Sequence, residues 1–266
     1  MADPRERAYI GDVKFSPDSK LVAALVNKPQ THQLRWWDVK AGKELQRPIS
    51  VERGFSLAFS PNGSKLAVAG DGVQVWDLNT VRKLHDFQFN RSIGRAFRVV
   101  FSPDGTRLAA GLHDYGQVGL PIRPLVRVWD VESGKEVFTT HEERSAVNAV
   151  AFSPDSTLLA EGGENSREEE PARVHLWDLT RKRLVHALPA DKEVIFCLAF
   201  HPSGKLLATG GDDSVIRLWD VTSGKLLCKL EGHTDQVDAL TFSTDGKTLV
   251  SAGRDKFVLI WRIDWK

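Results

Sequence analysis

Cysteine is scarce in this chain. Its 266 residues hold two, Cys197 and Cys228, too few for a disulfide scaffold or a cysteine-rich metal site. No apolar run approaches the ~20 residues that a membrane-spanning helix needs. The opening Met1-Ala2-Asp3-Pro4-Arg5-Glu6-Arg7 has no apolar stretch behind its charges, so no secretory signal is expected. Neither sign of charge is in excess. Against 36 Lys plus Arg stand 35 Asp plus Glu, which leaves no global basic field for nucleic acid or anionic lipid. The expectation is a soluble, cytoplasmic protein of a reducing compartment, with no nucleic-acid partner and no membrane.

Motifs of familiar catalysis are missing as well. Gly246-Lys247-Thr248 resembles the end of a phosphate-binding loop, but Thr241 stands where the upstream glycine belongs, and the segment reads as a turn, not a strand-to-helix junction. His141-Glu142-Glu143 begins like a zinc-protease motif, but Ser145 follows and no helix is present to align two ligands. There is no Gly-x-Ser-x-Gly elbow and no dinucleotide fingerprint. No catalytic residue, cofactor or metal is expected.

What the chain does have is tryptophan at regular spacing. Trp37, Trp76, Trp129, Trp177, Trp219 and Trp261 recur at intervals of 39 to 53 residues. A second landmark keeps step with them. Phe15-Ser16-Pro17-Asp18, Phe59-Ser60-Pro61-Asn62, Phe101-Ser102-Pro103-Asp104 and Phe152-Ser153-Pro154-Asp155 are near copies; Phe200-His201-Pro202-Ser203 and Phe242-Ser243-Thr244-Asp245 are looser ones. Periods of this size indicate a repeat architecture. Each unit reads as four strands: an apolar stretch ending in Phe, a turn in which Pro presets φ and Gly63, Gly105, Gly204 or Gly246 tolerates positive φ, a second strand, an alternating third strand ending in Trp, and a fourth after a Ser-Gly-Lys-type turn. No helix and no linker is evident. Cys197 and Cys228 fall on the first and fourth strands of one unit, three strand spacings or ~14 Å apart, too far for a disulfide, and are expected to be buried, inert thiols.

These residues resemble the WD-repeat (WD40) family. Trp-Asp closes the third strand at Trp37-Asp38, Trp76-Asp77, Trp129-Asp130, Trp177-Asp178 and Trp219-Asp220; the sixth copy departs with Trp261-Arg262. Gly232-His233 matches the family's Gly-His pair. The regular turns look like those of bacterial members. The resemblance implies an all-β fold: one β-propeller domain over residues 1–266, with six blades at about 8–49, 50–91, 92–142, 143–190, 191–231 and 232–266. It also implies a buried structural tetrad. The sixth copy carries all four members, His233, Ser251, Asp255 and Trp261. The fifth keeps Thr209, Asp213 and Trp219, with Asp191 at the His position. In the first four copies the network is eroded, the fourth having Glu143 at the His position, so these blades are expected to rely on apolar packing.

In the family the last blade's outermost strand is usually donated by the other terminus. Counting back from Ile10 as from Val237 to Leu230 reaches Asp3, which leaves too little chain for a strand. Blade six is therefore expected to have three strands, with Phe257–Trp261 along an unpaired edge, and a long apolar edge is normally covered. The expectation is a portion of a longer, seven-bladed propeller, with its missing blade or further domains elsewhere in the same protein, or an edge covered by another chain.

Binding is expected on the face that carries the loops between strands two and three. Relative to blade five these are extended in blade three, with His113, Tyr115 and Arg123, and in blade four, with Arg167, Glu168, Glu169 and Glu170. Insertions on one face of a repeat protein often mark its binding face. A second signal lies four and six residues before the landmark Phe, where blades two and three carry Arg53, Phe55 and Arg95, Phe97. Aromatic and Arg residues dominate interface energetics, although phenylalanines there also suit packing between blades. The function expected is a non-catalytic scaffold or recognition module of a larger signalling or regulatory protein, binding a protein or peptide. The alternative is a propeller enzyme or small-ligand sensor with a site in the central channel, which needs convergent His, Asp or Glu on the innermost strands. Ala58, Val100, Ala151, Ala199 and Thr241 stand there instead.

Overall fold

Alternating β-branched and aromatic stretches punctuated by Pro, Asp and Gly fold as read. A computed structural model describes residues 9–28, 31–45, 48–89, 94–113, 126–140, 144–165, 171–191 and 194–264. Among these residues every regular element is a β-strand. The chain forms two compact units, residues 1–121 with 128–137, and residues 122–127 with 138–266.

In the first unit, blade one pairs Tyr9–Phe15, Leu21–Asn27 and His32–Asp38 in antiparallel order, with Lys43–Glu44 and Ile49–Val51 both on the far edge of the third strand. Blade two is the four-stranded sheet Gly54–Phe59, Lys65–Gly70, Gly72–Asp77 and Arg82–Gln88. Blade three opens with the pair Arg95–Phe101 and Arg107–His113. The chain passes between the units within the strands Val126–Asp130 and Glu136–Thr139. The second unit holds blade four (Arg144–Phe152, Leu158–Asn165, Ala172–Asp178, Arg183–Asp191) and blade five (Ile195–Phe200, Leu206–Gly211, Ile216–Asp220, Leu226–Leu230). Blade six has three strands among the described residues, Val237–Phe242, Thr248–Gly253 and Val258–Arg262. Residues 1–8 lie outside the described chain, so the expected lack of a fourth strand from the N-terminus is neither met nor refuted there.

A strand alternates its side chains between two faces, and each blade is apolar on both, so the faces must be covered by neighbours. Within the first unit, Ala23, Leu34 and Trp36 of blade one pack against Leu57 and Leu66 of blade two. Ala67, Val73 and Val75 of blade two then pack against Ala96, Val99 and Trp129 of blade three. In the second unit Val174 and Leu176 of blade four meet Ile195 and Leu207 of blade five, and Ile216 and Leu218 of blade five meet Val237 and Leu249 of blade six. Each fully buried aliphatic side chain in such an interface contributes about 1.5–3 kcal/mol.

The repeated Phe-Ser-Pro-Asp-Gly segment is a closed hydrogen-bonding unit. The Ser60 hydroxyl donates to Asn62 Oδ1 at 2.7 Å, and the Lys65 N–H donates to Ser60 Oγ at 2.9 Å. Ser16–Asp18, Ser102–Asp104, Ser153–Asp155 and Ser243–Asp245 repeat the pattern. The fourth turn residue lies at positive φ, 73° at Gly105, and Ser19 and Ser156 occupy the same region at 58° and 61° where glycine is absent. The Trp-Asp turn works similarly. Hydroxyls of Ser133, Thr180 and Ser223 donate to Asp130, Asp178 and Asp220. One further clasp recurs between neighbouring blades. His85 Nε2 lies 2.9 Å from the Val131 carbonyl, and His186 Nε2 lies 3.0 Å from the Thr222 carbonyl, each on the turn after the next blade's Trp-Asp.

Two outcomes follow. A Cβ at Gly105 would meet Pro61 Cδ at 3.6 Å, an ordinary contact, so only the left-handed backbone resists it; Gly105→Ala should cost about 1 kcal/mol in urea titrations, and an unchanged midpoint would contradict the argument. The serine and threonine hydroxyls hold Asp130, Asp178 and Asp220 below the ordinary carboxylate range. Their folded pKa values are depressed, so their contribution is present above the unfolded value near 3.8 and is lost as pH falls through the lower folded values. Stability should be flat above about pH 5 and fall below about pH 4, and Asp→Asn at these three positions should flatten that acid limb in denaturation midpoints measured against pH.

Candidate functional site

The innermost strands share a feature that sequence spacing alone does not display. In each, the residue four before the landmark Phe is skipped by the ladder. The register shifts around Gly11, Phe55, Phe97, Asn148, Phe196 and Asp238. A bulge of this kind leaves one residue unpaired, bends the strand and re-aims its side chain. The candidate residues Phe55 and Phe97 therefore sit on bulges at the end of the strand opposite the Ser-Pro-Asp turns.

In the first unit these bulges build a column. The rings of Phe55 and Phe97 stack with centroids 4.5 Å apart, and Phe97 stacks on the His113 imidazole at 3.8 Å. The Arg53 guanidinium lies 5.3 Å from the Phe55 ring centre, a cation–π arrangement. Four of the sequence-predicted residues, Arg53, Phe55, Phe97 and His113, thus form one continuous stack. Arg95 stands apart from it, bound to Asp71 with Nε 2.7 Å from Oδ1. Phe55, Phe97, His113 and Arg95 are half-buried and Arg53 is exposed, so the column is braced from within and open along its edges. Gly70 is part of the brace, since a Cβ there would lie 1.7 Å from the Arg53 carbonyl oxygen. The phenylalanines pack between blades, as one of the two sequence readings had it, and still leave ring edges to solvent. Tyr115, Arg123, Arg167, Glu168, Glu169 and Glu170 lie outside the described residues.

The tetrad of blade six is assembled in the second unit. His233 Nδ1 lies 2.7 Å from Asp255 Oδ2, and His233 Nε2 lies 2.8 Å from Ser251 Oγ. The Trp261 indole N–H donates to Ser251 Oγ at 2.9 Å. In blade five Trp219 donates to Thr209 at 3.0 Å, while Asp213 is held by the Arg217 guanidinium. In blade two the equivalent second-strand position is Val68, and the buried Trp76 Nε1 has no partner. In blade four the family's network is replaced by another. Glu161 stands at the Ser/Thr position, fully buried, and its carboxylate accepts the Trp177 indole N–H at 2.9 Å and the Thr140 hydroxyl at 3.1 Å. His175 Nδ1 lies 3.7 Å from the same carboxylate. The signal was present as a carboxylate two residues beyond the partner of the Trp, but the family pattern prescribes a hydroxyl there.

No disulfide joins the cysteines, and only Cys197 is buried, its thiol donating to the Val237 carbonyl at 3.3 Å; Cys228 is exposed. Its strand, Leu226–Leu230, lies at the outer edge of blade five and is exposed over its first four residues. Among the described residues no cluster of three His, Cys, Asp or Glu could hold a metal.

Four-stranded antiparallel sheets stacked face to face, each closed by a Trp on its third strand, define this as a chain of β-propeller blades. The family model "WD domain, G-beta repeat" matches residues 134–166, 182–220 and 224–262, and over these segments the chain is similar to WD40 repeats. It is similar to telomerase protein component 1 of Rattus norvegicus, 29% identical over 135 residues, which is 51% of this chain and 4% of that protein. It therefore spans a small fraction of this curated relative. Among solved structures, a chain in a crystal structure of the mitotic checkpoint complex matches with a TM-score of 0.79 at 21% identity, over 98% of this chain and 79% of that one. That likeness is one of fold.

The networks give an ordered expectation. Ser251→Ala leaves the Trp261 N–H and His233 without their shared partner in a buried site and should cost about 1–3 kcal/mol. Asp255→Ala removes the acceptor for His233 and for the Thr234 and Phe257 N–H groups from a side chain only 2% exposed, whereas Asp213→Ala removes the partner of Arg217 and of the Val215 N–H from a side chain 13% exposed. Asp255→Ala should therefore destabilise more than Asp213→Ala in urea titrations; equal costs would contradict the assignment.

Proposed function

We propose that this chain is a non-catalytic recognition module that binds a protein or peptide on the rim bearing the bulged strand ends, as a scaffold in a signalling or regulatory assembly of the cytoplasm. WD40 propellers are generally protein-interaction scaffolds, which is the starting point for the reading. The observation that carries it is the column of Arg53, Phe55, Phe97 and His113, in which rigid aromatic area and a cation stand together at an exposed rim. Stacked rings have little rotamer freedom left to lose on binding, so a partner gains contact area at small entropic cost. Tyr115, Arg123 and Arg167 to Glu170 enter this reading from the sequence alone. The alternative, an enzyme or small-ligand sensor in the central channel, has less support, because the innermost strands offer Ala58, Val100, Ala199 and Thr241 where reactive groups would be needed.

The test is a pull-down with the intact chain, followed by titration of the captured partner against two variants, Arg53→Glu at the exposed end of the column and a charge reversal of Glu168, Glu169 and Glu170. Both should bind at least ~10-fold more weakly, a loss of ~1.4 kcal/mol, with unchanged melting temperature. Full affinity in both would move the site to another surface.

A further inference from the structure

The stack at the rim fixes what kind of ligand group it can take. Phe55 is shared between the Arg53 guanidinium, 5.3 Å from its centre, and the Phe97 ring at 4.5 Å. Phe97 in turn lies against the His113 imidazole at 3.8 Å. A partner's ammonium or guanidinium would need a bare ring face, and the chain's own cation and rings occupy those faces. What the half-buried Phe55 and Phe97 leave to solvent is ring edge, the positive part of the aromatic quadrupole. Edges and guanidinium together make a surface that favours an anion over a cation.

The charges point the same way. Among the described residues Arg53 has no ion-pair partner, whereas Arg35, Arg95 and Arg217 are paired with Glu44, Asp71 and Asp213. The acids close to Arg53 in the chain are turned elsewhere. Asp71 holds Arg95, and the Glu52 carboxylate lies 3.4 Å from Gln88 Nε2. Arg53 is exposed, so its N–H donors face water, while contact with Phe55 confines the guanidinium plane. A planar fork held in one orientation suits two parallel hydrogen bonds to a carboxylate. A phosphate group carries roughly two negative charges and is met by clusters of Arg. Here Asp71 neutralises Arg95, which leaves one cation for one charge. On the reading of this rim as a binding surface, we propose that its ligand group is the side-chain carboxylate of an Asp or Glu in a partner peptide. The Arg53 fork holds the carboxylate, and an apolar neighbour in the same peptide lies against the open edges of Phe55 and Phe97.

The test titrates the intact chain, isotopically labelled, with the capped peptide acetyl-Gly-Leu-Glu-Leu-Gly-amide and its Gln, Lys and phosphoserine counterparts. The Arg53 Nε–H and His113 ring resonances report binding. The Glu peptide should shift both saturably, at least ~10-fold more tightly than the Gln and Lys peptides, and less tightly as salt rises. Arg53→Gln should lose that preference, and Arg53→Lys should keep part of it, since a point charge remains without the fork. Near-ultraviolet circular dichroism checks that each variant keeps its fold. Equal binding of the Glu and Gln peptides, preference for Lys, tighter binding of phosphoserine, no shift with any peptide, or full affinity for the Glu peptide in Arg53→Gln overturns the proposal. The protein captured by the intact chain separates this failure from failure of the rim. If it binds Arg53→Gln normally but His113→Ala poorly, the carboxylate is overturned and the rim stands; if it is indifferent to both, the rim falls too.

Discussion

A four-stranded sheet with two apolar faces cannot be stable by itself, and everything else in this chain answers to that constraint. Val174, Leu176, Ile216 and Leu218 are buried only because the next blade stands against them. With about 1.5–3 kcal/mol for each such side chain, a single blade interface outweighs any one hydrogen-bonded turn. The turns have a different task. They fix where each strand ends, so that aliphatic residues at the same count from Phe and Trp meet in every repeat. A slip of one residue would turn each apolar set to the wrong face. The Ser-Pro-Asp and Trp-Asp turns, both closed by a hydroxyl on a carboxylate, are the local devices that prevent it.

Much of this was legible because the determinants are local. Trp spacing, the Phe-Ser-Pro-Asp landmark and the turn glycines are properties of short segments, and they yielded the repeated four-stranded unit. The bulges were less accessible. Nothing in Arg53-Gly54-Phe55-Ser56 signals that Phe55 drops out of the ladder, since register belongs to a strand pair and not to one strand. The Phe55–Phe97–His113 stack joins two blades and could be anticipated as a set of residues but not as a column. Glu161 was hidden for a chemical reason. A carboxylate can accept the indole N–H as a hydroxyl does, yet a buried carboxylate is expensive without further donors, and Thr140 lies outside the positions the repeat pattern inspects. The exposure of Cys228 reflects the edge position of its strand, which two-face alternation does not weigh.

The two ends of the inner strands divide the labour of the molecule. At one end the ladder closes into Ser-Pro-Asp turns whose polar groups are satisfied within the turn, leaving little to offer a partner. At the other the ladder is broken by a bulge in every blade, and the freed residue varies from Gly11 to Phe55, Asn148 and Asp238. Side chains there are released from the core alternation, so they can differ without disturbing the stack. This is the physical reason a site can be placed at that rim at little cost to the fold, and why aromatic and Arg residues there carry weight that the same residues within a strand would not.

The polar networks follow the packing as well. Blade two is covered by neighbours on both faces within its unit, and it tolerates Trp76 with an unpartnered indole, a defect of about 1–3 kcal/mol. Blade six carries the complete His233, Ser251, Asp255 and Trp261 network. Blade one has Ala24 in place of the hydroxyl but holds the Trp37 ring under the Arg35 guanidinium, itself clamped by both oxygens of Glu44. Trp177 and Trp219 of the packed blades four and five also have polar partners, Glu161 and Thr209, and Trp76 lies under the Lys83 ammonium. The Trp position is common to the blades while its partner differs from blade to blade, because packing of the ring fixes its place and any nearby acceptor or cation can complete it.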